Sequence, residues 1–333
     1  MQALVLTADQ TLELQALDRP TPGPGQVLVR LRAAALNHRE LWIVKGLYPG
    51  MRLPCILGAD GAGEVVDVGE GAARDWLGKA VVLYPALDWG EEYEVPGPRF
   101  RVRGMPDAGT LAEYTVVDEK YLVEKPAYLS FEQAAAIPVA GLTAWRGLTN
   151  YGSLLAGEKL LITGIGGGVA QFGLRIARAM GAEVYVTSSS PDKLAEAMAN
   201  GAAGGVNYRD EDWSQQLKTL SGGIDRVLDG APLPALDGYL KFLNVGARIV
   251  FYGATGGLRA ELTLPKFFLR YIQLIGSTMG SPYEFRVLLD FMAEHQLTPP
   301  VDSVYALADY AAAFATLRGG GQTGKVVVWV GEE

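Results

Sequence analysis

Four glycines, Gly164, Gly166, Gly167 and Gly168, are the residues whose spacing most directly points to chemistry in this 333-residue chain. A short apolar run precedes them (Leu160, Leu161, Ile162), as expected of a strand buried on both faces. Val169, Phe172, Leu174, Ile176, Ala177 and Met180 follow at roughly helical spacing, and Gly181 ends that helix. Glu183–Thr187 is a second buried strand. A strand–glycine turn–helix–strand unit has the physics of a dinucleotide site. Bare backbone at the four glycines lets a pyrophosphate approach, and the first-turn N–H groups, Val169 among them, bind it with the positive end of the helix dipole. Glycine turns also arise for steric reasons alone, so the flanking strand and helix carry the assignment. Ala170 stands where a last packing glycine is usual, and it is small enough to serve.

The tip of the second strand bears on which nucleotide binds. An NAD site places a carboxylate there for the ribose 2′-OH. This chain instead has Ser188, Ser189 and Ser190, then Lys193. Hydroxyls and a cation suit a 2′-phosphate, so the expected cofactor is NADPH. Ser190-Pro191-Asp192-Lys193 also reads as a helix start with Ser190 as its cap, and the two roles are compatible.

Metal chemistry has little to work with. The soft ligands are Cys55, His38 and His295, at separations that match no metal motif; Asp60, Asp88, Glu91 and Glu92 could bind a hard cation weakly, but such loop acids are usually just solvated. No metal is expected. His38, beside Arg39 and Glu40, reads as a surface residue, and Cys55 as a small buried apolar one. The net charge of −8 without a basic cluster argues against nucleic acid and anionic membranes. No apolar run has the length of a membrane span, and the N-terminus alternates like a strand rather than reading as a signal peptide. A single cysteine rules out an internal disulfide framework and points to a cytoplasmic location.

Two textures position these residues. From Met1 to about Lys125 the chain reads as short strands and turns: Met1–Leu6, Thr11–Leu14, Gln26–Ala34, Gly58–Gly69, Lys79–Tyr84, Leu111–Val117 and Tyr121–Glu124, with a short helix over Asn37–Lys45. Residues 85–109 read as a surface lobe with a possible hairpin at Phe100–Val102. A cap-like Ser130 opens one apolar helical stretch through AAAIPVAGLTAWRGL. Strands and helices then alternate: helices Leu194–Asn200, Asp212–Leu220 and Leu233–Leu243, strands Gly205–Tyr208, Asp225–Asp229, Arg248–Tyr252 and Leu274–Ser277. Such alternation makes a doubly wound parallel sheet. The remainder, 282–333, reads as two helices and a strand, Lys325–Val330, returning to the first domain.

Taken together, ALNHRELWIVKGLYP (35–49), LGADGAGEVVDVGEG (57–71), AAAIPVAGLTAWRGL (134–148), the glycine loop, NYRDEDW (207–213), FYGATGG (251–257), IGSTMG (275–280) and TGKVVV (323–328) resemble the medium-chain dehydrogenase/reductase superfamily, in its zinc-free quinone oxidoreductase-like branch. The resemblance spans essentially the whole chain. It implies an α/β protein with a GroES-like irregular β-barrel catalytic domain (1–125 and 281–333) and a Rossmann doubly wound parallel-sheet domain (126–280). Zinc-dependent members hold the metal with a cysteine near the first helix and a His-Glu pair. Here those places hold Asn37 and Ala59-Asp60, and the 85–109 lobe lacks the cysteines of a structural zinc. The implied reaction is hydride transfer from NADPH to an already electrophilic carbon of a quinone or α,β-unsaturated carbonyl.

By the same resemblance Asn37 lies near nicotinamide and substrate, and Thr143 contacts the nicotinamide. Gly253, Ala254, Ser277 and Thr278 line its side of the site. Tyr208 and Lys193, with Ser188 or Ser189, surround the 2′-phosphate, and Lys325 is a further cofactor contact. Of the donors considered for the substrate's proton (Tyr48, Glu40, Trp42, Asp60 and solvent), Tyr48 or Glu40 is preferred. The resemblance also implies a homodimer through the edge near Gln273–Ser277. Each residue has a purely structural alternative: Asn37 as a helix cap, Thr143 bonded within its helix, Tyr208 packed on the sheet edge, Lys325 as a solvated strand-start lysine. Two other functions are an alcohol or aldehyde dehydrogenase, which the missing ligands oppose, and a non-catalytic NADPH-binding sensor.

Overall fold

A computed structural model describes residues 1–331 and divides them into two compact units, Met1–Leu142 with Gly280 onward, and Thr143–Met279. The last two residues of the expected 281–333 segment lie outside the described residues.

The first unit opens with strands β1 (Gln2–Leu6), β2 (Leu12–Ala16) and β3 (Gln26–Ala35), then helix α1 (His38–Val44). Strands β4 (Cys55–Ile56), β5 (Asp60–Val68), β6 (Ala80–Leu83), β7 (Ala86–Leu87), β8 (Arg101–Val102), β9 (Tyr114–Asp118) and β10 (Leu122–Glu124) follow. In the lobe, β8 falls within the Phe100–Val102 stretch expected as a short hairpin, but it pairs with β7 at the lobe's other end, Ala86 opposite Val102 and Leu87 opposite Arg101. Helices α2 (Phe131–Ala135) and α3 (Pro138–Leu148) replace the single expected helix. Pro138 has no N–H to continue the first helix and instead starts the second.

The second unit carries β11 (Lys159–Ile162), α4 (Gly168–Ala179), β12 (Glu183–Ser188), α5 (Pro191–Ala199), β13 (Gly204–Asn207), α6 (Trp213–Ser221), β14 (Ile224–Asp229), β15 (Leu243–Phe251), α7 (Leu264–Phe268) and β16 (Gln273–Gly276). The strands form one parallel sheet in the order β13-β12-β11-β14-β15-β16. Its neighbours are covered by apolar side chains: Leu161, Val227 and Ile249 are buried with Leu217, Tyr239 and Phe242. The helix expected over Leu233–Leu243 is only a short 3-10 turn, Leu236–Lys241. Pro234 and Gly238 interrupt its otherwise helical apolar spacing.

The chain returns to the first unit with α8 (Pro282–Glu294), β17 (Val301–Ala306), α9 (Tyr310–Gly319) and β18 (Lys325–Trp329). Strand β17 was not expected; it pairs parallel with β18. A second sheet then runs β10-β6-β5-β3-β18-β17, with β9 also on β3. Strand β3 lies antiparallel to β5, β18 and β9, with Ala35 opposite Asp60 on β5 and Val327 on β18. The ends of β3, β5 and β18 therefore converge where α1 begins.

Candidate active site

That convergence brings Asn37, Asp60 and Lys325 together from three distant parts of the sequence. Continuing the β3–β18 register past Ala35 sets residue 37 opposite residue 325, and the Leu36 N–H donates to the Val326 carbonyl at 2.9 Å. The Lys325 ammonium donates to Asp60 Oδ2 at 2.9 Å and to Asn37 Oδ1. Asn37 Nδ2 donates to Asp60 Oδ2 at 2.9 Å. The other Asp60 oxygen accepts the Val139 N–H at 2.8 Å, an unpaired donor of the first turn of α3. Asp60 is fully buried and Lys325 is 3% exposed. The solvated-loop reading of Asp60 and the solvated strand-start alternative for Lys325 are thus corrected: Asp60 begins β5 in the interior, and the register turns the lysine side chain onto its carboxylate.

Asn37 is the N-cap of α1, but its side chain serves Asp60 and Lys325. Glu40 does the capping: its Oε2 accepts the Asn37 backbone N–H at 2.8 Å. Its Oε1 accepts from Arg39 at 2.8 Å, and Arg39 also donates to the Arg103 carbonyl at 2.9 Å. Glu40 is fully buried; burial raises its pKa against the opposing charge of Arg39. With both oxygens occupied, Glu40 holds the helix start rather than facing a substrate. Tyr48 is half-buried, with the Arg39 guanidinium 4.8 Å from its ring centroid. Trp42 and His38 are exposed, His38 as the sequence indicated. Cys55 is buried, and burial pushes its thiol up to about 11.

In the second unit the four glycines of the loop divide by backbone demand. Gly164 takes a left-handed φ of +62° that a side chain would strain, and nothing lies within 4 Å of where its Cβ would be. Gly166 sits in the turn between β11 and α4 and is half-buried, but its φ is not positive. Its backbone conformation therefore does not require glycine, which leaves the expected reason for one there, a turn bare of side chain. At Gly167, the N-cap of α4, the nearest atom to an added Cβ is the Gly164 carbonyl oxygen at 3.7 Å. Gly168 is the first residue of α4, and Val169 follows in its first turn. No side chain caps α4, so its first-turn N–H groups have no side-chain acceptor at the cap. Ala170 is fully buried, taking the packing place of the missing glycine. A pyrophosphate fits this cradle.

Three residues that the sequence reading passed over hold the loop. Thr187 accepts from the Gly164 N–H through Oγ1 at 3.2 Å, and its carbonyl accepts from Ile165 at 2.9 Å. Thr163 donates to Asp229 at 2.6 Å, and the buried Asp229 also accepts from the Ala231 N–H at 2.9 Å and from Tyr239. Burial raises the Asp229 pKa. Its position at the C-terminal end of a central parallel strand was the available signal.

Around the strand tip, Ser188 Oγ accepts the Ser190 N–H at 3.1 Å and Ser190 Oγ accepts the Lys193 N–H at 3.4 Å, so Ser190 caps α5 as expected. The Tyr208 N–H donates to the Ser188 carbonyl at 3.3 Å while its side chain is exposed. Ser188, Ser189, Lys193 and Tyr208 therefore belong to one strand–helix corner. Elsewhere in this unit Gly253 lies against Gly230, whose carbonyl oxygen would be 2.8 Å from an added Cβ, and Ala254 is exposed. The Ser277 N–H donates to Phe251 at 2.8 Å, and its Oγ is buried without a partner among the described residues. Thr278 is exposed, and Thr143 is buried on α3.

A GroES-like β unit joined to a parallel-sheet nucleotide unit is the architecture of a class of dehydrogenases, and comparison with known proteins bears this out. The alcohol dehydrogenase GroES-like domain family matches residues 23–127 and the zinc-binding dehydrogenase family matches 168–294. The chain belongs to the medium-chain dehydrogenase/reductase superfamily of oxidoreductases. It is 36% identical to the zinc-type alcohol dehydrogenase-like protein YogA of Leptosphaeria maculans, over 95% of this chain and 94% of the relative. Acryloyl-coenzyme A reductase of Metallosphaera sedula is 29% identical, over 98% of this chain and 99% of the relative. A crystal structure of an NAD-dependent alcohol dehydrogenase is 38% identical, with a TM-score of 0.93 over 99% of this chain and 100% of that one.

The family name implies zinc, and the residues here do not fit it. Ala59 offers no ligand, and the carboxylate of Asp60 is already paired with an ammonium. Among the described residues no group of three or more His, Cys, Asp or Glu side chains is placed to hold a metal ion.

Proposed function

We propose that this chain is an NADPH-dependent reductase of the zinc-independent, quinone oxidoreductase-like kind, acting on a quinone or an α,β-unsaturated carbonyl. The observation that carries the reading is the Lys325 ammonium on Asp60 and Asn37, at the place where the family's metal ligands would stand. A site with a fixed monocation and no ligand set lacks the Lewis acid that alcohol oxidation uses. Acceptors that are already electrophilic need only positioning and stabilisation of the charge that develops on oxygen.

The nicotinamide cofactor, when bound, supplies a hydride to the electrophilic carbon. The glycine loop (Gly164, Gly166, Gly167 and Gly168) and the α4 first turn would hold its pyrophosphate; Ser188, Ser189, Lys193 and Tyr208 would hold its 2′-phosphate. Thr143, Gly253, Ala254, Ser277 and Thr278 would contact the nicotinamide, the Ser277 hydroxyl being buried without a partner among the described residues. On an enone, negative charge would develop on the carbonyl oxygen as the alkene pair forms the enolate C=C bond and the C=O π pair moves to oxygen, and the α-carbon would take its proton from Tyr48 or water. The reductase named among the relatives acts on an acryloyl thioester, an activated alkene of this kind. The names of the other two relatives favour the second reading, an alcohol dehydrogenase.

We further propose a cytoplasmic homodimer formed through the β16 edge. That edge strand is unpaired on one side, and Leu264, Phe268, Leu269 and Tyr271 beside it are all more than 60% exposed. No described helix is long and apolar enough to cross a membrane.

The test is NADPH or NADH oxidation by 1,4-benzoquinone and by a small enone, with elemental analysis of protein purified without chelator. Rapid oxidation with zinc far below one per chain is expected. Zinc near one per chain, with alcohol oxidation in place of quinone reduction, would establish the second reading. Tight NADPH binding without turnover of any acceptor would leave the sensor.

A further inference from the structure

We infer that Lys325 and Asp60 are positioning residues that set the side-chain amide of Asn37, so that its second N–H is offered to the substrate oxygen on which negative charge develops. The inference deepens the reductase reading and rests on it for the identity of that oxygen.

The amide's orientation follows from its partners. An ammonium only donates and a carboxylate only accepts. With Lys325 Nζ on one side of Asn37 and Asp60 Oδ2 on the other, the amide oxygen must face the lysine and the amide nitrogen the aspartate. The reverse orientation would set N–H against ammonium and oxygen against carboxylate. The usual ambiguity of an asparagine flip is therefore resolved by chemistry.

One Nδ2 hydrogen is taken by Asp60 at 2.9 Å; the other has no partner among the described residues. Of the three side chains only Asn37 is partly open to solvent, since Asp60 is fully buried and Lys325 is 3% exposed. Substrate can meet the pair only through the asparagine. Ammonium bonded to the amide oxygen draws electron density from the amide nitrogen and strengthens the remaining N–H as a donor. The Val139 N–H on Asp60 and the Glu40 bond to the Asn37 backbone fix the other ends of the assembly. A buried ion pair contributes little net stability compared with apolar residues of equal volume, so its presence at this place calls for a role besides stability.

The test uses the full-length protein as wild type, Asn37→Ala, the charge-neutral double variant Asp60→Asn/Lys325→Met, and the triple combination, with Lys325→Arg as the conservative change. Thermal unfolding and NADPH binding show that each variant folds. The probe is 4-nitrophenol, whose absorbance reports phenol and phenolate separately and which needs no turnover. Wild type is expected to bind phenolate at least tenfold more tightly than phenol. Asn37→Ala and the double variant should each abolish that preference, the triple variant should lose nothing more, and Lys325→Arg should keep part of it. With 1,4-benzoquinone as acceptor, kcat should fall about a hundredfold in the same variants while the KM for NADPH holds. Equal binding of phenol and phenolate by wild type, or a preference that survives in the folded double variant, would overturn the inference. Losses that add in the triple variant would also overturn it, because Lys325 would then act by a route other than Asn37. Phenolate preference with the expected variant pattern but no turnover of any acceptor would uphold the oriented donor and remove the reductase reading.

Discussion

Lys193→Ala is the perturbation that separates the two nicotinamide cofactors. Lys193 sits in the first turn of α5, three residues after Ser190, whose hydroxyl accepts the Lys193 backbone N–H at 3.4 Å. Truncating the side chain leaves that cap in place, so the helix start and the Ser188–Ser190 bond at 3.1 Å should survive. On the proposed NADPH reading, what is lost includes one charge-assisted contact to a 2′-phosphate, worth about 1.5–3 kcal/mol. At about 1.4 kcal/mol per factor of ten, NADPH should bind roughly 10–150-fold more weakly. NADH has no 2′-phosphate and should change by about twofold at most, the usual range of a surface substitution. Because Lys193 is only half-buried, the NADPH loss should shrink as salt is raised. Titration by nicotinamide fluorescence at low and high salt measures both affinities. Ser188→Asp is the reciprocal change: a carboxylate at the strand tip should repel NADPH and leave NADH bound. Equal losses of NADPH and NADH in Lys193→Ala, or tighter binding of NADH by wild type, would refute the 2′-phosphate assignment.

Other consequences follow from buried groups. Asp229→Ala strands Thr163, Tyr239 and the Ala231 N–H without their acceptor, and should cost about 2–5 kcal/mol; urea denaturation measures it, and wild-type stability would contradict the loop-holding role. Cys55, pushed up to about 11, carries about a hundredfold less thiolate at pH 8 than an ordinary cysteine, so native alkylation by iodoacetamide should be slow and rise on unfolding. The sign for stability follows: its contribution is full below the ordinary cysteine range and is lost as pH rises toward 11, because only the unfolded thiol ionises in that window. Leu274→Glu, on the open β16 edge, should convert a dimer seen by light scattering into a monomer; a wild type that is already monomeric would remove the proposed interface.

What could be read in advance depended on whether the signal was local. The β11–turn–α4–β12 unit is local: alternation of buried strand, bare backbone and amphipathic helix is written in consecutive residues, and the turn appeared as expected. Pro138 and Pro234 are local signals too, and they defeated longer helical readings because a proline overrides apolar spacing. Strand β17, VDSVYA, was invisible because its short polar–apolar mixture becomes a strand only by pairing with β18. The burial of Lys325 was hidden for the same reason. A lysine at the start of a strand is solvated by default, and only the register of β18 on β3 carries it to Asp60.

That same register accounts for how the first unit does without the metal ligands of its family. A carboxylate at the end of β5 would be costly to bury alone. Three donors from three elements satisfy it: an ammonium from β18, an amide from the start of α1 and a backbone N–H from α3. A dication at this place would have to displace Lys325 or sit beside it, and would find one carboxylate where a tetrahedral site wants three or four ligands. Restoring ligands alone, as in Asn37→Cys with Ala59→His, should therefore bind zinc poorly while Lys325 remains. Adding Lys325→Met should improve zinc affinity by removing the competing charge. Zinc binding measured by competition with a chromophoric chelator checks this; tight binding that ignores residue 325 would show that the ammonium does not govern the site's choice of cation.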